Sequence, residues 1–131
     1  MFSADTTILI VDDMMVMRKL VKQNLINLGL SKFDEASDGQ KAWDKLNTQP
    51  GIGLVISDWN MPNCTGIELL KRIRSDARFK NLPFILLTAE GEMLQITEAV
   101  AAGVDNYIIK PFTLESLKDK LEQVHKKCSA A

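Results

Sequence analysis

The sequence predicts a doubly wound α/β domain, with five short parallel strands each followed by a helix and one sheet covered on both faces. Three observations carry that prediction. Short apolar runs recur along the chain, and each stops abruptly at a polar residue. Between the runs, apolar positions return at three- and four-residue spacing. Glycine and proline stand at the joins. At 131 residues the chain suits a single domain.

Thr7-Ile8-Leu9-Ile10-Val11 is rich in β-branched residues and ends at Asp12-Asp13. Such a continuous run suits a strand buried on both faces. Met17, Leu20, Val21, Leu25 and Leu28 then give a helical stripe, which Gly29 stops. Phe33 to Ala36 is a weak strand expected near an edge. Asp38-Gly39 turns the chain, Ala42, Trp43 and Leu46 give a short second helix, and Pro50-Gly51 breaks it. Leu54 to Ser57 predicts a strand ending at Asp58. A loop from Trp59 to Gly66 leads to a helix with Leu69, Leu70 and Ile73 on one face. Pro83 precedes a strand over Phe84 to Leu87, ending at Thr88. A fourth helix is expected from about Glu92 to Ala102, with Gly103 as its stop. Tyr107 to Ile109 predicts the fifth strand, ending at Lys110-Pro111. Thr113 is placed to cap a last helix carrying Leu114, Leu117, Leu121 and Val124. Right-handed crossovers limit how these units can be wound.

Composition narrows the function classes. The net charge of -1 argues against a nucleic-acid partner, which calls for a basic excess. No apolar run approaches the roughly 20 residues of a membrane span. The start, Met1-Phe2-Ser3-Ala4-Asp5, lacks the order of a secretory signal. Cys64 and Cys128 have neither disulfide-framework nor metal-ligand spacing, so a reducing, cytoplasmic setting is expected.

The chemistry is expected at the strand ends. Asp12-Asp13, Asp58, Thr88 and Lys110 close the first, third, fourth and fifth strands, and ligands of open α/β sheets bind outside those ends. With strand order 2-1-3-4-5 all five residues converge. Crowded carboxylates repel, and a divalent cation removes the conflict. Oxygen-only ligands suit Mg2+, which also accepts phosphate oxygens. Lys110 supplies a second positive charge and Thr88 a hydrogen-bond donor, so that Asp58 can act as a nucleophile toward phosphorus. Taken singly, such residues are commonly helix caps or solvated loop groups. Their shared position at strand ends makes the functional reading the stronger one.

With these residues in place, the sequence resembles the response-regulator receiver family, and within it the chemotaxis receivers. The resemblance lies in Ile8 to Asp13, Ser57-Asp58-Trp59-Asn60-Met61-Pro62-Asn63, Leu87-Thr88-Ala89-Glu90 and Tyr107-Ile108-Ile109-Lys110-Pro111-Phe112-Thr113, and covers almost the whole chain. It implies a flavodoxin-like receiver fold with strand order 2-1-3-4-5, as one domain over residues 1–131 (core about 6–127) with no effector domain. It further implies that Asp58 is the phosphoacceptor for a histidine kinase of the CheA type. Mg2+ would be held by Asp13 and Asp58 through carboxylates, by Asn60 through its carbonyl and by Asp12 through water. Thr88 and Tyr107 would form a switch pair acting on the surface of the fourth helix, fifth strand and fifth helix. Asn60 and Glu90 would set the phosphoryl lifetime, with a phosphatase as a further partner. Lys110-Pro111 resembles the family's cis peptide. By the same resemblance the output partner is the flagellar motor switch protein FliM, and the protein is a monomeric switch rather than an enzyme.

The sequence departs from chemotaxis receivers at Met14-Met15, Thr65, Glu92-Met93, Val100 and Asn106, all outside the phosphorylation chemistry. Those departures keep a second output open, a phosphate sink that drains its kinase. Met14, Met15 and Met17 are expected to pack in the core or at its rim. Trp59 is expected to be partly exposed, His125 to be solvated, and Lys118, Lys120, Lys126 and Lys127 to form a wet face. Cys64 lacks a neighbouring base that would make it reactive. An Asp-nucleophile phosphatase of the haloacid dehalogenase kind needs a second Asp two positions on, where Asn60 stands. A flavin carrier needs a hydroxyl- and glycine-rich loop where Asp12-Asp13 stands.

Overall fold

Successive side chains of a strand point to opposite faces, and that alternation builds two cores here. In β1 (Thr7–Val11), Ile8 and Ile10 pack into one layer, and Leu9 and Val11 into the other. The computed structural model describes residues 2–89 and 93–129. The remaining elements in chain order are α1 (Met15–Asn27), β2 (Lys32–Ala36), α2 (Gly39–Thr48), β3 (Ile52–Asp58), α3 (Gly66–Ser75), β4 (Phe84–Ala89), α4 (Met93–Ala101), β5 (Asn106–Lys110) and α5 (Leu114–Ser129).

All four strand pairings are parallel, in the order β2-β1-β3-β4-β5. One face is covered by α1 and α5, through Val21, Leu25, Leu117, Leu121 and Val124. The other is covered by α2, α3 and α4, through Ala42, Leu46, Leu69, Leu70, Ile73 and Ala99. Each fully buried Val, Leu or Ile among them stabilises the fold by about 1.5–3 kcal/mol relative to exposure. The predicted fold class is the observed one.

Boundaries differ by a residue or two. β3 starts at Ile52, ahead of the predicted Leu54, because Ile52 pairs with Thr7 before an irregularity in the β1–β3 register. β4 continues through Thr88 to Ala89, since both residues pair with β5. On α1, Leu20 is exposed despite its place in the apolar stripe, and Val21 and Leu25 carry the packing. Gly29 ends this helix as expected: it has φ 94, and Leu30 N–H donates to Leu25 O at 3.1 Å. Met14 and Met15 are each 57% exposed, not packed, because the helix starts at Met15 and turns them outward beside Val16. Met17 is half-buried. His125 meets Phe2 edge-on, with ring centroids 5.1 Å apart, and is half-buried where solvation was expected.

The N-terminal end of the sheet is tied by Arg74 of α3. Its guanidinium donates to Gly103 O at 2.9 Å, Leu82 O at 2.7 Å and Asp105 Oδ2 at 2.9 Å. Asp105 Oδ2 also accepts the Phe84 N–H at 2.8 Å, so one ion pair joins α3, the entry to β4 and the α4–β5 turn. No helix among the described residues is long and apolar enough to cross a membrane.

Candidate functional site

The strand order reverses direction between β1 and β3, because the chain leaves β1 toward β2 on one side and later returns to add β3 on the other. Such switch points leave a crevice at the carboxyl ends of the strands. Asp12 and Asp13 follow β1 there, and Asp58 closes β3. Carboxylate oxygens of Asp12, Asp13 and Asp58 lie within 4.8 Å of one another. Lys110 arrives from β5, across the end of β4, and its Nζ donates to Asp58 Oδ1 at 2.7 Å. The same Nζ stands 3.8 Å from Asp12 Oδ2. Thr88 is buried on β4, the strand between those of Asp58 and Lys110.

The three acids have different surroundings. Asp13 is exposed, Asp58 is buried and Asp12 is only 1% exposed. Burial pushes the Asp12 carboxyl above its ordinary range. The Met14 N–H, at 2.9 Å from Oδ1, offsets part of this, and the nearby Asp58 charge adds to it. Asp12 Oδ2 is buried with no hydrogen-bond partner. A buried, unpaired carboxylate oxygen is costly. An all-oxygen donor set containing one such atom fits a hard divalent cation such as Mg2+.

The loop after β3 is fixed by close backbone approach. Trp59 N–H donates to Leu87 O at 3.1 Å, and its carbonyl accepts Gly66 N–H at 3.0 Å. A Cβ on Gly66 would lie 2.2 Å from Asp58 O, so only glycine lets α3 begin this close to the end of β3. Gly39 does the same for α2: its N–H donates to Cys64 O at 3.0 Å, and a Cβ there would meet that oxygen at 2.5 Å. Asp38, read from sequence only as part of a turn, caps α2 by accepting Lys41 N–H at 2.8 Å. Its other oxygen accepts Asn63 Nδ2 at 2.9 Å. Asn63 has φ 66, a conformation asparagine tolerates better than most side chains. An Asp directly before a helix was the available signal for the cap; nothing local announced its link to Asn63.

Trp59 is buried, not partly exposed. The added pairing to Leu87 O carries the strand path one residue past Asp58 and turns the indole into the layer of Leu9, Val11 and Leu86. Cys64 is also buried, and burial pushes its thiol up, which agrees with an unreactive cysteine. Asn60 is exposed in the loop. Glu90, expected to flank the site, and Glu92 lie outside the described residues.

Residues 8–122 match the family model described as the response regulator receiver domain. The chain belongs to this family. The receiver domain is 46% identical to "Chemotaxis protein CheY1" of Helicobacter pylori over 117 residues, 89% of this chain and 94% of that protein. It is 48% identical to "Chemotaxis protein CheY-3" of Vibrio cholerae over 117 residues, 89% of each chain. Among solved structures, CheY4 of Vibrio cholerae superposes with a TM-score of 0.81 at 33% identity, covering 91% of this chain and 98% of that one. The receiver is thus CheY-like, within the chemotaxis response regulators of two-component systems.

On the far side of the receiver from β2, Tyr107 is half-buried on β5 and stands opposite Leu86 in the β4–β5 register, two rungs from Thr88. Lys120 Nζ lies 5.1 Å from the Tyr107 ring centroid. Tyr107, Ile109, Pro111, Ser116 and Lys120 line a groove of about 360 Å³. The Lys110–Pro111 peptide is cis, as the family resemblance implies. Asn106, one of the departures, donates from Nδ2 to Gln123 Oε1 at 2.9 Å and so pins β5 to α5.

Proposed function

We propose that this receiver stores a signal as a phosphoryl group on Asp58 and uses it to control binding of a protein partner. The observation that carries the reading is the acidic cluster with Lys110 Nζ 2.7 Å from Asp58 Oδ1 and, beside it, the buried Asp12 Oδ2 that has no hydrogen-bond partner. Mg2+ would be held by the Asp13 and Asp58 carboxylates, the Asn60 carbonyl and, through water, Asp12. When bound it supplies positive charge that offsets the acids and the incoming phosphoryl oxygens. Asp58 attacks phosphorus as the bond from phosphorus to the histidine nitrogen of the donor breaks. Lys110 leaves its contact with Asp58 to neutralise a phosphoryl oxygen, and the Thr88 hydroxyl donates to another. Charge neutralisation and positioning supply most of the catalysis in such transfers.

The donor is a histidine kinase of the CheA type, and the exposed Met14, Met15 and Val16 beside Asp13 offer it apolar contact. Once Thr88 turns toward the phosphoryl group, Tyr107 moves inward and the α4–β5–α5 surface changes. The phosphoryl group interacts better with one arrangement of the protein and so shifts the population of that surface toward it. Leu94, Val100, Ile109 and Leu114 are exposed there and can receive an apolar partner. By its resemblance to the chemotaxis receivers, the partner in that role is the flagellar motor protein FliM. Asn60 and Glu90 set the mark's lifetime, with a phosphatase as a further partner, and the receiver acts as a switch without turnover of a separate substrate.

The test is a titration of a FliM N-terminal peptide with Mg2+, with and without beryllofluoride as phosphoryl mimic, on the wild type and D58N. Tightening that D58N abolishes is expected. A beryllofluoride response in Trp59 fluorescence without tighter peptide binding would make the receiver a phosphate sink. Sustained hydrolysis of small phosphate esters would replace the switch with a phosphatase.

A further inference from the structure

Arg18 on α1 lies outside the acidic cluster and the switch pair, yet it grips the turn that carries the first acid. Its Nη1 donates to the Asp12 carbonyl oxygen at 2.7 Å, and its Nε donates to Glu35 Oε1 at 3.0 Å. Glu35 stands opposite Ile10 in the β1–β2 register, one rung before the strands end. Asp12 is thereby held at three of its polar groups. Its N–H donates to Ala36 O at 3.1 Å, its carbonyl accepts Arg18, and its Oδ1 accepts Met14 N–H at 2.9 Å. The fourth, Oδ2, is the buried oxygen with no hydrogen-bond partner. A guanidinium is a rigid planar fork, so bonding it to a fixed strand carboxylate fixes the direction of its other N–H groups. The Asp12 peptide then cannot rotate without losing that bond.

We propose that Arg18 is a positioning residue for the Mg2+ site, aiming Asp12 Oδ2 into the cluster, and that Glu35 on the edge strand holds Arg18 in place. This rests on the Mg2+ reading given above. The role joins Arg18 to a backbone carbonyl six residues before it and to a β2 carboxylate seventeen residues after it. Outer groups that orient metal ligands commonly change metal affinity by about 10- to 100-fold when removed, and Asp12, which reaches the ion through water, sets the effect at the low end of that range.

The experiment measures Mg2+ affinity by Trp59 fluorescence in a W43F background, for the parent, R18M, E35A and E35Q, with melting in EDTA run alongside. R18M is expected to weaken Mg2+ by about tenfold and E35A by a smaller factor, while E35Q, which keeps an acceptor for Nε, stays within about twofold. R18M binding Mg2+ as tightly as the parent overturns the proposal. If R18M does not fold, E35A decides: weakened affinity with native circular dichroism supports it, and unchanged affinity overturns it. A folded parent that shows no Mg2+ response, by fluorescence or by a shift in melting, removes the metal reading and this inference with it.

Discussion

Asp12 concentrates the electrostatic cost of the site in one side chain. Its carboxyl is held above the ordinary value of 3.8, first by burial and then by the Asp58 charge. A carboxyl with a raised folded value favours the fold while protonated. That contribution is whole below 3.8 and is lost as pH rises through the raised folded value. Metal-free protein at neutral pH therefore keeps a buried charge that opposes folding. D12N should melt higher than wild type by roughly 3–6 °C in EDTA at neutral pH. The gap should shrink as pH falls toward 3.8 and reverse with excess Mg2+; differential scanning calorimetry checks all three. The sequence displayed Asp12, Asp13, Asp58, Thr88 and Lys110 because each sits where an apolar run stops. It hid Arg18, Glu35 and the Asp38–Asn63 link, whose contacts depend on tertiary pairing and leave no local periodicity. Trp59 escapes local patterning for a related reason: it lies in a loop, yet one more pairing to β4 turns it inward.

Among the elements, α3 shows how a departure from the family pattern can serve local structure. Thr65 replaces an acidic residue and forms a complete capping box: its Oγ1 accepts Glu68 N–H at 3.3 Å, and Glu68 Oε1 accepts Thr65 N–H at 3.0 Å. Since α3 begins against Asp58, this cap also steadies the loop bearing Asn60. T65A should lose about 1 kcal/mol, and T65D most of that less, because aspartate caps as well as threonine. Urea unfolding followed by circular dichroism would show it. The elements were legible because their stripes are well separated on α2, α3 and α5. On α1 they are not: Met15, Val16, Leu20 and Ile26 form exposed apolar positions beside the buried Val21 and Leu25. Periodicity there identified the helix and its inward face at Val21, Leu25 and Leu28, but also enlisted the exposed Leu20.

For the whole molecule, the two ends of the sheet have opposite characters. One gathers like charges at the carboxyl ends of the strands. The other gathers Arg74, Asp105, Gly103, Leu82 and Phe84 into a satisfied network whose Arg74–Asp105 ion pair is largely buried. R74M should destabilise the fold by about 3 kcal/mol, since it strands the Asp105 charge and two carbonyls. Lys127, 3.5 Å from Asp105 Oδ1, limits the loss. R74M/D105N should recover part of it, which chemical denaturation of the pair of variants would reveal. The parallel five-unit architecture was readable from alternation alone. The network that closes its lower end was not, because Arg74 and Asp105 are 31 residues apart and each looks like an ordinary surface charge.

The contact between Gly66 and the Asp58 carbonyl has a genetic consequence. Every single-nucleotide change of a glycine codon that alters the amino acid introduces a side chain, and at position 66 any side chain begins 2.2 Å from that oxygen. The position therefore has no tolerated amino-acid-changing neighbour in codon space. A lineage carrying this loop can drift around Gly66 but not through it, unless the end of β3 moves first.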